Sequence, residues 1–119
     1  MDAPSRPTAT FPLRPQDLRD YGATVGAECA GWRQVADDCP LARCLSLSTG
    51  WACVQVYADK IVHGSGEISL PVWARHFVRL TDLEPYDWVT GDEVVELTDR
   101  AVRMARLEAE AMLADLDRD

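Results

Sequence analysis

The sequence predicts an α+β fold: a small antiparallel meander of about three strands, an N-terminal helix, a short middle helix and a long C-terminal helix. Three observations lead there. Apolar residues recur every three or four positions over 16–36 and again over 91–116, which is helical spacing. Between them lie three short runs, 51–57, 61–63 and 67–70, rich in β-branched and aromatic residues and joined by connections too short for a parallel crossover. The chain of 119 residues, 47% apolar and 27% charged, has the length and composition of one globular domain with its own core.

Residues 1–15 hold Pro4, Pro7, Pro12 and Pro15 with Ser and Thr between them, and read as a flexible arm from which Phe11 and Leu13 can dock on the core. Residues 16–119 then form a single domain. Leu18, Tyr21, Val25, Cys29, Trp32 and Val35 give the stripe of a first helix over 16–36, with Pro15 suited to its first turn and a break near Gly31. Residues 37–45 read as a loop or a short helical turn opened by Pro40. The stretch 51–57 is the first strand, placing Cys53 inside it. Residues 58–60 are a tight connection, 61–63 the second strand, 64–66 an interruption and 67–70 the third strand. Pro71 opens a middle helix whose apolar stripe is Val72, Trp73, His76, Phe77 and Leu80. Residues 81–89 are a loop with Pro85, Tyr86 and Trp88.

The strongest local signal is Thr90 followed by Glu93, a capping box that starts the long acidic helix of about 91–116. Val95, Thr98, Val102, Ala105, Ala109, Met112 and Leu116 repeat at three and four as a heptad seam. Glu96 with Arg100 and Asp99 with Arg103 are favourably oriented pairs one turn apart. A helix of this length spans roughly 40 Å, more than a compact domain of this size, so its end should project or lie against a second chain. The seam Val95, Val102, Ala105, Ala109, Met112 and Leu116 is therefore expected to mediate self-association as a homodimer.

Charge is segregated. Residues 1–81 carry eight acidic and eight basic side chains, whereas residues 82–119 carry twelve acidic and four basic, so the whole net charge of −8 falls in the C-terminal third. Such a surface repels nucleic-acid phosphates and anionic membranes and suits a basic protein partner; otherwise it serves solubility. With no apolar run of membrane-spanning length and no secretory leader in the first fifteen residues, a cytoplasmic protein is expected.

Chemistry has few candidates. Cys29, Cys39, Cys44 and Cys53, with His63 and His76, could supply a zinc or iron–sulfur site, but only Cys39 and Cys44 approach the spacing of a metal knuckle. Buried thiols account for the pattern better, and no cofactor is expected. Neither histidine has the setting of a cysteine hydrolase. The run Gly64, Ser65, Gly66 has no lysine and no phosphate-binding helix after it, so it reads as a turn. Four tryptophans are many for 119 residues. Trp32 and Trp73 fall on faces expected to be buried. Trp51 and Trp88 are candidates for exposure at a binding surface.

Residues 46–56, with Ser46, Ser48, Gly50, Cys53, Val54 and Val56, resemble the opening of the small actinobacterial regulators related to BldB. A Ser-x-Ser and a glycine turn there precede a Cys-Val-x-Val strand. The likeness runs to about residue 80, with Ser65 kept from a second-strand motif and Trp73 and Phe77 marking the helix. The family's Arg-Asp-Ser-Lys run is reduced to its serine here, its Trp and Phe are usually three apart rather than four, and residues 1–45 and the long helix have no counterpart. The resemblance implies a non-enzymatic regulatory partner and carries over no catalytic residue.

The expected function is that of a non-enzymatic regulatory or inhibitory protein, antitoxin-like or of the phage-inhibitor type. It is expected to act by binding a basic protein, of which a nucleic-acid-binding protein is one kind, without touching nucleic acid or membrane itself. Trp51, Trp88, Asp92, Glu96, Asp99, Glu108 and Glu110 are its expected partner-binding residues. The alternative is a metal sensor or structural metal module built on the four cysteines.

Overall fold

The computed structural model describes residues 10–64, 66–83 and 87–117, the side chain of Asp117 excepted. The expectations placed on residues 1–9, Ser65, Pro85 and Tyr86 lie outside those residues. The architecture is α+β. In chain order it runs α1 (Pro15–Val25), β1 (Cys29–Trp32), α2 (Pro40–Thr49), β2 (Gln55–Val56), β3 (Lys60–His63), β4 (Gly66–Ser69), α3 (Val72–Asp82), β5 (Trp88–Thr90) and α4 (Gly91–Asp117).

The first helix begins at Pro15 and Leu18 is fully buried on it, but it is shorter than its periodicity suggests. Gly26 adopts φ +65°, a left-handed conformation that ends the helix, and its N–H closes on the Gly22 carbonyl at 2.9 Å. Cys29 and Trp32 therefore belong to a strand. β1 pairs antiparallel with β5 across a bulge, with Trp32 opposite Trp88 and Cys29 opposite Thr90. This two-stranded sheet is an addition to the expected meander. Trp32, expected in the core, is only half-buried on it.

The region from Pro40, expected as a loop or a short helical turn, is a full ten-residue helix. Pro40 occupies the first turn, where its missing N–H costs nothing, the Ala42 N–H donates to the Cys39 sulfur at 3.5 Å, and Gly50 at φ +77° ends it. Because α2 runs to Thr49, the chain needs residues 50–54 to turn. The strand expected over 51–57 shrinks to Gln55–Val56, and Cys53 is exposed at φ +58° instead of lying within a strand. β2, β3 and β4 then form the antiparallel meander, with Val56 opposite Ile61 and Ile61 opposite Ile68 on the buried side.

On α3 the buried set is Ala74, His76, Phe77, Val78, Leu80 and Thr81, a wider arc than the predicted stripe; Val72 faces solvent and Trp73 is half-buried. Phe11 meets Trp73 edge to face at 6.0 Å and Leu13 is buried, so the end of the proline-rich arm docks on the body.

The start of α4 is the most heavily anchored point of the fold. Thr90 and Glu93 form the capping box in both directions: the Thr90 N–H donates to the Glu93 carboxylate at 2.9 Å and the Glu93 N–H to the Thr90 hydroxyl at 3.1 Å. The Gly91 and Asp92 N–H groups donate to the carbonyls of Glu28 and Gly26 at 3.1 and 2.9 Å, so the orphan donors of the helix start are satisfied by the turn after α1. The two segments approach so closely that a Cβ on Gly91 would run into the Gly22 carbonyl and lie 2.6 Å from the Gly26 nitrogen.

Candidate functional site

From that root α4 passes between α1 and α3, and its proximal half is core. Val94, Thr98 and Ala101 have no exposed surface, and Leu97 is also buried. Thr98 tolerates this because its hydroxyl donates to the Val94 carbonyl one turn back, at 2.7 Å. The buried set differs in phase from the expected seam: Val94, Leu97 and Ala101 replace Val95 and Val102, which are half-buried. Two helices flank α4, so it is covered over a broad arc, not along one narrow line.

The stripe does not stop where the body does. Val94, Thr98, Ala101, Ala105, Ala109, Met112 and Leu116 follow one another at steps of three and four, on one side of the helix. Ala105 is half-buried and Ala109 exposed, while Met112 and Leu116 are 63% and 72% exposed. Leu113 joins them at 62%. Of the expected self-association residues, those at 109, 112 and 116 lie in line on a helix end that the body does not cover, with Ala105 at its edge. Leu113, which the heptad reading left out, widens the patch; its place one residue after Met112 was visible in the sequence.

Where the covered half ends, α3 holds the helix by one polar tie. His76 is buried on α3, and its Nε2 lies 2.7 Å from the Glu108 carboxylate, whereas its Nδ1 is buried without a partner. Glu108 is half-exposed and bonded to the body at the same time. Asp99 is likewise engaged, in an ion pair with Arg19 of α1. Buried Arg33 braces the root, donating to the Thr81 carbonyl at 2.8 Å and reaching Glu93 at 3.4 Å.

The remaining expected partner-binding residues divide. Asp92, Glu96 and Glu110 are exposed, and steps of four and three place 92, 96, 99, 103, 106 and 110 on a single face of α4. Arg103 and Arg106 interrupt that face, so its acidity is concentrated on the first two turns. Trp88, 44% exposed on β5, sits immediately before those turns. Trp51 belongs elsewhere: it is half-buried and stacks on His63 of β3, with ring centroids 4.0 Å apart and planes 7° from parallel.

The four cysteines stay apart in role. Cys44 is buried, and burial pushes its thiol up to about 11; Cys39 caps α2 and burial pushes it to about 11 as well. Cys29 lies in β1 and Cys53 on an exposed turn. Among the described residues no group of three or more His, Cys, Asp or Glu side chains is placed to hold a metal ion. No helix among them is long and apolar enough to cross a membrane.

Compared with known proteins, the chain matches no family model, no curated protein and no solved structure.

Proposed function

We propose that this protein is a non-enzymatic regulator or inhibitor that works by binding another protein, as an acidic antitoxin-type or phage-type inhibitor does, and that it works as a homodimer joined through the distal half of α4. The observation that carries the reading is the continuation of the core stripe of α4 onto a solvent-facing end bearing Met112, Leu113 and Leu116. Large apolar side chains clustered on a surface mark an interaction site far more often than scattered ones do. Ala105 and Ala109 supply the small side chains that let two helices approach closely.

The face of α4 that holds positions 92, 96, 99, 103, 106 and 110 lies on the opposite side of the helix from the stripe. The acidic first turns of α4, with Asp92 and Glu96 beside exposed Trp88, then remain open to a basic target. An aromatic anchor rimmed by like charges has the composition of a binding hot spot with electrostatic steering. The resemblance of residues 46–80 to small actinobacterial regulators agrees with a regulatory role.

Crosslinking in the native host, followed by recovery of the tagged chain, tests the partner half of this reading. A basic protein should be recovered with the wild type and largely lost with Asp92→Asn, Glu96→Gln, Glu110→Gln, and lost also when association is carried out in 1 M salt, where the Debye length falls to ~3 Å. Recovery indifferent to both would reduce the acidic face to a solubility device.

A further inference from the structure

We propose that the cleft between the β1–α2 loop, the β2–β3 turn and the C-terminal end of α3 binds a free α-amino acid with a large apolar side chain. The cleft is remote in role from the α4 surface and encloses about 350 Å³, within the size range of small-molecule sites. Its interior is apolar, formed by Val35, Leu41, Val56, Phe77 and Val78.

The walls are fixed by cross-links. The Val56 N–H donates to the Ala36 carbonyl at 2.8 Å, joining the β2 side to the β1–α2 loop. The Gln34 N–H donates to the Asp82 carboxylate at 3.2 Å, and the Gln34 side-chain amide to the Asp82 carbonyl at 3.1 Å, joining that loop to α3. Gln34 itself is held at φ +61°, a left-handed conformation a non-glycine residue rarely adopts. A cavity whose rims are bonded to one another persists without a ligand, and a pre-formed site binds with little ordering cost.

Polar groups at the mouth define the ligand's head. The Cys39 thiol lines the interior but is already occupied as the α2 cap. Asp82 stands at the rim, where burial pushes its carboxyl above the usual carboxylate range against the opposing pull of the Gln34 N–H and the Arg33 guanidinium. A bound ammonium would favour the charged form. Ala58, Val78 and Asp82 also line a second, neighbouring depression, to which Arg75 and Arg79 belong. Positions 75, 79 and 82 lie on one face of α3 at steps of four and three; the Arg75 Nε–H donates to the Leu70 carbonyl at 2.9 Å, and Arg79 is the guanidinium nearer in sequence to the carboxylate. An apolar tail, an ammonium and an adjacent carboxylate match that order of apolar interior, Asp82 and arginines.

Titration of the uniformly ¹⁵N-labelled full chain with five probes tests this: L-phenylalanine, phenethylamine, 3-phenylpropanoate, N-acetyl-L-phenylalaninamide and glycine. L-phenylalanine should shift the amides of Val35, Val56, Ala58 and Val78 and saturate with Kd on the order of 1 mM or below. It should bind at least about five-fold more tightly than each of the other four. Asp82→Asn should remove its advantage over 3-phenylpropanoate, Arg79→Gln its advantage over phenethylamine, and Ala58→Trp at the exposed mouth should weaken every probe with an aromatic tail. Equal binding of L-phenylalanine and its blocked amide would assign the cleft to a peptide side chain and overturn the proposal. So would shifts that fail to saturate, or a preference that Asp82→Asn and Arg79→Gln leave unchanged.

Discussion

The proximal and distal halves of α4 carry the same stripe at the same spacing, yet one half is core and the other surface. Up to Ala101 the stripe meets α1 and α3, and its side chains are sealed from water. Beyond the Glu108–His76 tie, Met112 and Leu116 stand in solvent. Periodicity reports that a helix has an apolar side; it does not report what covers it. The buried half answers to stability and the open half to association, so substitutions in the two should part cleanly.

The largest expected effect is at Ala101. With no exposed surface, Ala101→Glu forces both volume and an unpaired carboxylate between α1 and α3, and should cost at least about 3 kcal/mol. Met112→Glu, three turns on, should leave the stability of the monomer, measured at a protein concentration too low for dimerisation, within about 0.5 kcal/mol of wild type. Urea denaturation of both variants measures the contrast, and a similar loss in each would mean that the distal half is also packed within the body.

Alkali reaches the packed part through a buried thiol. The Cys44 thiol, 2% exposed beside α1, is pushed up to about 11 by burial from an ordinary 9.0. Above pH 9 the unfolded chain releases this proton while the folded chain keeps it, so the unfolded state binds fewer protons and stability falls as pH rises. The loss should be absent below pH 9 and approach roughly 1.4 kcal/mol per unit between 9 and 11 for this thiol. Denaturation of wild type and Cys44→Ala at pH 8 and 10.5 should show a smaller decline in the variant; equal declines would place the titration elsewhere.

At the root, Thr90→Ala removes the hydroxyl that accepts from the Glu93 N–H, and should destabilise by roughly 1 kcal/mol. An unchanged midpoint would mean that the bonds from Gly91 and Asp92 to the turn after α1 hold the helix start unaided.

What was legible in the sequence followed from signals that act locally. The capping box, the meander with its short connections and the length of α4 all rest on residues near one another in the chain. The failures arose where a local pattern had two structural readings. Cys29 and Trp32 continue the spacing of α1, but the left-handed Gly26 ends the helix before them, and the pairing of β1 with a strand nearly sixty residues away is a long-range event without a local signature. Residues 40–49 lacked only a recognised cap, because cysteine is an unusual one. Of the candidate surface, the tip residues could be read from spacing. The diversion of Asp99 to Arg19 and of Glu108 to His76 could not, since each partner lies on another helix. The cleft beside Asp82 is likewise assembled from three separate segments.

The distal stripe is the point on which the functional reading turns, and its association state tests it most directly. Sedimentation equilibrium of the 13.2 kDa chain at up to ~100 μM should give twice the monomer mass, since a helix pair burying these side chains should hold at micromolar concentration. The Met112→Glu, Leu116→Glu variant, equally stable, should run as a monomer. A wild type that stays at 13.2 kDa throughout that range would contradict the dimer and leave the open end of α4 to a different protein.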